Sequence, residues 1–151
     1  MSIDTIQTLF NRDLKRLIVE IEQYEIEDDI WKVKGNITNS AGNLCLHLVG
    51  NLNTYIGREL GNSGYQRNRE LEFSAKDVPK TELIQMVQNT ITMINQTLDN
   101  LDEEILNAEY PILVFEQPTS TEYLLVHLTT HLTYHLGQIN YHRRLIGSET
   151  K

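Results

Sequence analysis

Hydrophobic residues recur at helical spacing in four segments of the chain, and polar stretches separate these segments. Within each segment the apolar positions share one stripe of a helix, which is the face that a core would cover. The predicted helices run from about Asp4 to Tyr24, from about Asn39-Ser40 to just before Gly61, from Pro79 to about Leu101, and from just after "PTST" to about Ile146.

Residues at the segment ends support these boundaries. Asp4 is expected to cap the first helix and Ser40 the second, because their side chains accept hydrogen bonds from free backbone N–H groups. Pro79 suits the first turn of the third helix. Gly61 and Gly147 are expected to end the second and fourth helices.

The connections between the helices are long. "GNSGYQRNRELEFSAKDV" follows the second helix, and "EILNAEYPILVFEQPTS" precedes the fourth. Connections of this length permit crossovers, so the helices need not run simply up and down. No internal repeat or composition break marks a domain boundary. The prediction is an all-α fold, a four-helix bundle with long crossover loops, in one domain spanning residues 1–151.

Composition narrows the class of protein. The chain has 151 residues, of which 40% are hydrophobic, and a formal net charge of −8. Nucleic acids and anionic membranes both require a basic face, so neither is expected as a partner. Cys45 is the single cysteine, which excludes an intrachain disulfide and suits a reducing compartment. No secretion signal or membrane span is expected, and the predicted location is the cytoplasm.

The fourth helix carries the candidate chemistry. With Leu124 as the reference, His131 and His135 lie about 20° to either side of it on a helical wheel, close to Leu128 and Ile139. These histidines therefore point in the direction of the core-forming leucines. Imidazoles in an apolar interior need partners for both ring nitrogens, and a metal ion can be one of them.

A metal site is the prediction that this spacing favours. Histidines at positions i and i+4 are neighbours on a helix, so His131 and His135 can reach one ion. His47 lies on the inward face of the second helix and can supply a third ligand. Three protein ligands leave a position open for water or substrate, which is typical of catalytic zinc. The segment from His131 to His135 lacks the glutamate of the HExxH motif, so it contains no built-in general base.

The other two histidines of the fourth helix leave alternatives open. His127 lies one turn before His131, so it could replace His135 in the pair or support a ligand from outside the metal shell. His142 lies about 10 Å along the axis from His135, which is too far to share an ion. It is interpreted as a structural or surface residue.

Two segments carry a resemblance to a known family. "HLTYHLGQINYHRR" resembles the last-helix signature of the DinB/YfiT-like superfamily, in which HxxxH is followed shortly by Gly-Gln. "NSAGNLCLHLVGNL" resembles its second-helix signature, and "RNRELEF" resembles a stretch of one DinB-related branch of unknown function. This damage-inducible family is unrelated to the lesion-bypass polymerase of similar name.

The resemblance implies a helix bundle that holds one divalent metal ion, usually zinc or nickel, through three histidines. By motif position these are His47, His131 and His135, and the Gly137-Gln138 register selects His135 over His127. The resemblance also implies a homodimer. Characterised relatives include thiol-dependent S-transferases and isomerases, which use a low-molecular-weight thiol as a cosubstrate.

Three functional hypotheses follow. In the first, the protein is a metal-dependent transferase or hydrolase, for example an S-transferase that joins a thiol to a small electrophile, because a bound divalent ion lowers the pKa of a thiol or water that it binds. In the second, it is a non-catalytic metal-binding module. In the third, the histidines form a hydrogen-bonded structural seam. The sequence does not choose among zinc, nickel, copper and iron, which all accept imidazole ligands.

Several polar residues are candidates for supporting roles. Asn51 and Gln138 are expected to be hydrogen-bond partners of the ligands or of neighbouring helices, and Tyr134 to face a neighbouring helix. The loop arginines could bind the carboxylate of an anionic cosubstrate, although pairing with nearby glutamates in solvent is the simpler expectation. These arginines are Arg58, Arg67 and Arg69.

Overall fold

The computed structural model describes residues 1–150, and within that range the fold is all-helical with no strands. The α-helices are α1 (Ile3–Glu22), α2 (Ala41–Leu52), α3 (Arg69–Ser74), α4 (Lys80–Asp99) and α5 (Thr121–Thr150). Short 3-10 helices cover Glu27–Trp31 and Glu103–Asn107, and a π-helix covers Asn53–Arg58.

The four long helices pack around a shared core. Helix α1 packs against α4 and α5, and α2 packs against the same two helices from the other side. Phe10 of α1, Leu48 of α2 and Leu128 of α5 are all buried in this core. These contacts are those expected of a four-helix bundle.

Helix α2 is buried on all sides, and this placement determines the environment of the site. Every residue from Ala41 to Leu52 is buried, whereas the sequence suggested a single inward face. Trp31 covers its first turn so closely that a methyl group on Gly42 would lie 2.6 Å from the indole ring. Helix α3 packs on the same helix further along. His47 is therefore enclosed by protein on more than one side.

Two predicted helix ends were wrong in detail, and one short helix was not predicted. Ser2, and not Asp4, caps α1, because its hydroxyl accepts from the Thr5 backbone N–H at 3.2 Å. Helix α5 continues past Gly147 to Thr150, since an interior glycine costs a helix only about 1 kcal/mol and does not by itself end it. Helix α3 was not predicted, because six residues in a charged loop show no helical periodicity.

Candidate metal centre

Three histidines from two helices meet at one point. His47 lies on α2, and His131 and His135 lie one turn apart on α5. The Nε2 atom of His131 is 3.2 Å from Nε2 of His47 and 3.2 Å from Nε2 of His135. The candidate ligand atoms of all three residues lie within 4.8 Å of one another, close enough to hold one metal ion. We call these residues the histidine cluster.

Hydrogen bonds determine which nitrogen of two rings carries the proton. His47 Nδ1 is 3.0 Å from the Glu72 carboxylate, and His135 Nδ1 is 2.7 Å from the side-chain oxygen of Gln138. Both partners present oxygens that only accept hydrogen bonds, so each Nδ1 must donate. In the neutral imidazole the lone pair then lies on Nε2. Two lone pairs are therefore directed into the cluster.

His131 lies between these two acceptors. Its Nδ1 is buried and has no hydrogen-bond partner among residues 1–150, and its Nε2 faces both neighbours. Burial, followed by the nearby rings of His135 and His47, lowers the pKa of His131 to about 4. Burial also lowers the pKa of His135. The cluster therefore favours neutral imidazoles, the form that binds metal ions.

A buried ion pair supports the cluster from behind. Arg67 donates two hydrogen bonds to Glu72, at 2.8 and 2.9 Å, while Glu72 accepts from His47. Burial by itself would raise the pKa of Glu72, but the hydrogen bonds from His47 and Arg67 outweigh it and lower that pKa. A carboxylate that orients a histidine in this way also raises the basicity of its metal-binding nitrogen.

Gly50 makes this arrangement possible. A Cβ atom at Gly50 would lie within van der Waals overlap of the Glu72 carboxylate and 2.6 Å from its carbon atom. From the sequence, Arg67 was expected to be a solvated loop residue paired with Glu59, Glu70 or Glu72, and Gly50 had no expected role. The Arg67–Glu72 pair does exist, but its side chains are only 14% and 7% exposed. The segment "RNRELEF" gave one indication of this pair, because it places Arg67 and Glu72 five residues apart, across the start of a short helix.

A cavity of about 190 Å³ opens beside the cluster. It lies between the second half of α2 and the first half of α5, with His47 and His131 in its wall. Helix α2 also contributes Asn51, and α5 contributes Leu124, His127 and Leu128. The remaining wall comes from the π-helix, the loop before α5 and the segment around α3, through Tyr55, Val114, Arg67 and Arg69.

The remaining histidines lie outside the cluster. His127 lines the cavity, and its ring contacts Phe115 at 4.9 Å between centroids. His142 is buried and structural, not a surface residue: its ring nitrogens bond the Tyr24 hydroxyl at 2.6 Å and the Lys32 carbonyl at 2.7 Å.

The candidate supporting residues differ in what their side chains contact. Gln138 does hydrogen bond to a cluster histidine. Asn51 was expected to have a hydrogen-bond partner, and this was wrong, because its buried side-chain oxygen has none within residues 1–150. Tyr134 is mostly exposed and its ring lies beside that of His135, and it borders a surface groove shared with Leu9 and Arg12 of α1. Cys45 is fully buried, and burial raises the pKa of its thiol to about 12.

No described helix combines the length and the apolar character needed to cross a bilayer.

Comparisons with known proteins identify a family and a similar fold. Residues 3–150 match a family of proteins of unknown function, DUF1572. No curated protein matches the chain. A conserved protein from Enterococcus faecalis, solved by crystallography, is 16% identical and aligns with a TM-score of 0.77 over 98% of this chain and 99% of its own. At this identity the likeness concerns the fold alone.

Proposed function

The chain belongs to the DUF1572 family, and we propose that this member is a metal-dependent enzyme in which His47, His131 and His135 hold a divalent ion. The observation that carries the proposal is the convergence of three Nε2 atoms, two of which must present lone pairs. Without a cation, a single proton on His131 Nε2 would have to serve two acceptors. A cation serves all three at once.

The donor set fits a particular group of ions. Three neutral imidazoles suit zinc and nickel, whereas magnesium and calcium prefer oxygen ligands. The cluster has three protein ligands and an adjacent cavity, which is the arrangement of catalytic and not structural zinc sites. We therefore propose zinc or nickel.

Glu72, Gln138 and His127 each have a role in this proposal. Glu72 and Gln138 hold two of the ligands in the tautomer that binds metal. When bound, the divalent ion supplies Lewis acidity, which lowers the pKa of an acidic group on a small molecule beside it. The cavity wall contains no carboxylate, so the ring of His127 is the candidate acceptor for a proton that leaves this molecule.

The resemblance to the DinB/YfiT-like superfamily extends the proposal to a reaction. The small molecule would be a low-molecular-weight thiol, and the product would be its S-conjugate with a small electrophile. A bond forms between sulfur and carbon, the leaving group departs with its electron pair, and the thiol proton passes to a base. The homodimer that the same resemblance implies also stays a prediction, as does the cytoplasmic location that the single cysteine suggested.

Metal analysis tests the ligand set. Untagged protein purified without chelator is expected to contain close to one zinc or nickel ion per chain by mass spectrometry, and His131→Ala to contain almost none. His127→Ala is the matched control, because it removes an imidazole from the same helix and the same cavity outside the cluster. A metal content near zero in the parent protein would instead support the structural seam.

Turnover tests the enzyme. Metal-loaded protein is incubated with a panel of small thiols and electrophiles, and loss of free thiol is followed over time. The expected result is consumption that stops after chelation and is absent in His131→Ala. Stoichiometric metal with no consumption across the panel would favour the non-catalytic metal-binding module.

A further inference from the structure

The cavity beside the histidine cluster carries positive charge in an acidic protein. The chain has a net charge of −8, yet no aspartate or glutamate lines this cavity. Two arginines do, and they differ. Arg67 is neutralised by its two hydrogen bonds to Glu72. Arg69 has no ion-pair or hydrogen-bond partner among the residues that the structure describes. One uncompensated guanidinium therefore faces the cavity mouth.

A buried amide whose oxygen has no partner among the described residues belongs to the wall of the same cavity. Asn51 is 7% exposed, and its side-chain oxygen is fully buried and accepts no hydrogen bond within the described range. It sits one helical turn after His47, on the same face of α2. Leaving a buried polar atom unpaired is unfavourable, and such atoms in a cavity wall are often paired by a ligand. The oxygen requires a donor, which none of the described residues provides.

The size of the cavity limits what can supply that donor. A volume of about 190 Å³ corresponds to about six water molecules, and it lies below the range of drug-sized pockets. Tyr55 of the π-helix and Val114 of the loop before α5 limit its extent. The ligand must therefore be a small molecule that carries both a negative charge and a hydrogen-bond donor.

We propose that this cavity binds a small carboxylic acid bearing a hydroxyl or amino group, with its carboxylate at Arg69 and its donor at the Asn51 side-chain oxygen. The guanidinium presents several N–H donors in a plane that matches a carboxylate. Asn51 distinguishes acids with a donor from those without one. The proposal rests on the proposed function in placing this acid beside the metal ligands, and it names the chemical class of substrate.

Calorimetric titration with simple probes tests the charge requirement. Lactate has a carboxylate and a hydroxyl, propionate has only the carboxylate, and lactamide is the neutral counterpart of lactate. Lactate is expected to bind best. Arg69→Gln is expected to weaken both acids by at least about tenfold, the value of a charge-assisted hydrogen bond, and to leave lactamide unchanged. Arg58→Gln is the control, since it removes an exposed arginine that does not line the cavity.

The same titration tests Asn51. Asn51→Leu is expected to weaken lactate by about fivefold and to leave propionate within twofold, because only lactate has the donor. If Asn51→Leu fails to fold, the test uses Asn51→Ser together with Arg69→Gln. Asn51→Ser keeps a hydroxyl acceptor. The proposal is overturned if no probe binds at millimolar concentration, if Arg69→Gln binds lactate like the parent, or if Asn51→Leu affects both acids equally.

One further variant separates this proposal from that of the metal site. His131→Ala is expected to lose the metal while retaining propionate binding that Arg69→Gln still weakens. If the parent protein, purified without chelator, contains no metal but binds the acids, the metal-dependent enzyme is overturned and the acid site stands. Stoichiometric metal with no binding of any probe would do the reverse.

Discussion

Helix α5 carries His142 and, about two to three turns earlier, the cluster residues His131 and His135. These imidazoles resemble each other in sequence but differ in their surroundings. His142 is satisfied at both nitrogens: Nε2–H donates to the Lys32 carbonyl at 2.7 Å, and Nδ1 accepts from the Tyr24 hydroxyl at 2.6 Å. In the histidine cluster, Nε2 atoms face other Nε2 atoms at 3.2 Å. His142 is also the more buried, since His131 and His135 are only half-buried. The partners of each ring nitrogen, and not the degree of burial, therefore indicate which imidazoles are available to bind an ion.

The comparison assigns His142 to stability and the cluster to metal binding. His142→Ala is expected to lower the free energy of unfolding by about 2–5 kcal/mol, because it leaves a cavity in the core and removes the hydrogen bonds of His142 to the Tyr24 hydroxyl and the Lys32 carbonyl. Urea denaturation measures this loss, and His127→Ala is the control with little expected effect. The assignment of His142 to stability would be wrong if His142→Ala lost its metal or proved as stable as the parent.

Removing the support behind the cluster gives the next largest effect. Glu72→Ala is expected to weaken zinc binding by about 10–100-fold, because His47 loses the acceptor that fixes its tautomer. Competition with a chromogenic chelator measures the affinity. Glu72→Gln, which keeps an acceptor oxygen, should lose less, and Glu70→Ala on the exposed face of α3 should lose nothing.

Gly50→Ala provides an independent route to the same effect. Its methyl group would occupy the position of the Glu72 carboxylate, so zinc binding is again expected to weaken. If the zinc affinity is unchanged in both Glu72→Ala and Gly50→Ala, the Glu72 carboxylate does not support the metal site.

Titration of His142 sharpens the comparison through pH. Burial lowers the pKa of His142 below its ordinary value of 6.5, while the hydrogen bond to the Lys32 carbonyl opposes the shift. Below pH 6.5 the unfolded chain then binds a proton that the folded chain does not, so stability falls as pH falls towards the folded pKa. The slope from one such group is at most about 1.4 kcal/mol per pH unit.

Urea denaturation of metal-free protein between neutral and mildly acidic pH measures this dependence. His142→Gln, which does not titrate, is expected to show the shallower dependence. His131 and the other titrating groups are common to both proteins, so the difference isolates His142. Identical slopes would show that His142 is not held neutral by the fold.

The smallest expected effect concerns the glycine between two site residues. A Cβ on Gly137 would meet no atom within 4 Å, and the residue is in the interior of α5. Gly137→Ala is therefore expected to raise the free energy of unfolding by about 0.5–1 kcal/mol with metal content unchanged. Gln138→Ala, the neighbouring change, should instead weaken metal binding. A loss of metal in Gly137→Ala would show that the glycine has a role in the site.

Much of the fold follows from local patterns. The periodicity of α1 and α4 predicted both helices to within a few residues, because an amphipathic stripe of that length is a strong signal. Helix α3 had no such signal. Its Glu72 is buried only because α3 packs on α2.

The same division applies to the site. That His131 and His135 share a face of α5 followed from the sequence alone, because the geometry within one helix is local. Their meeting with His47, and the orphaned oxygen of Asn51, depended on how α2 and α5 pack.

Which nitrogen carries each proton was decided only by the tertiary structure. Glu72 lies 25 residues from His47, and the carbonyl that satisfies His142 lies 110 residues away on Lys32. The sequence therefore determined that His131 and His135 share one face of a helix, but not that His142 is buried. Their surroundings decided which of them face one another and which are saturated, because hydrogen-bond partners distant in the chain are brought together only by folding.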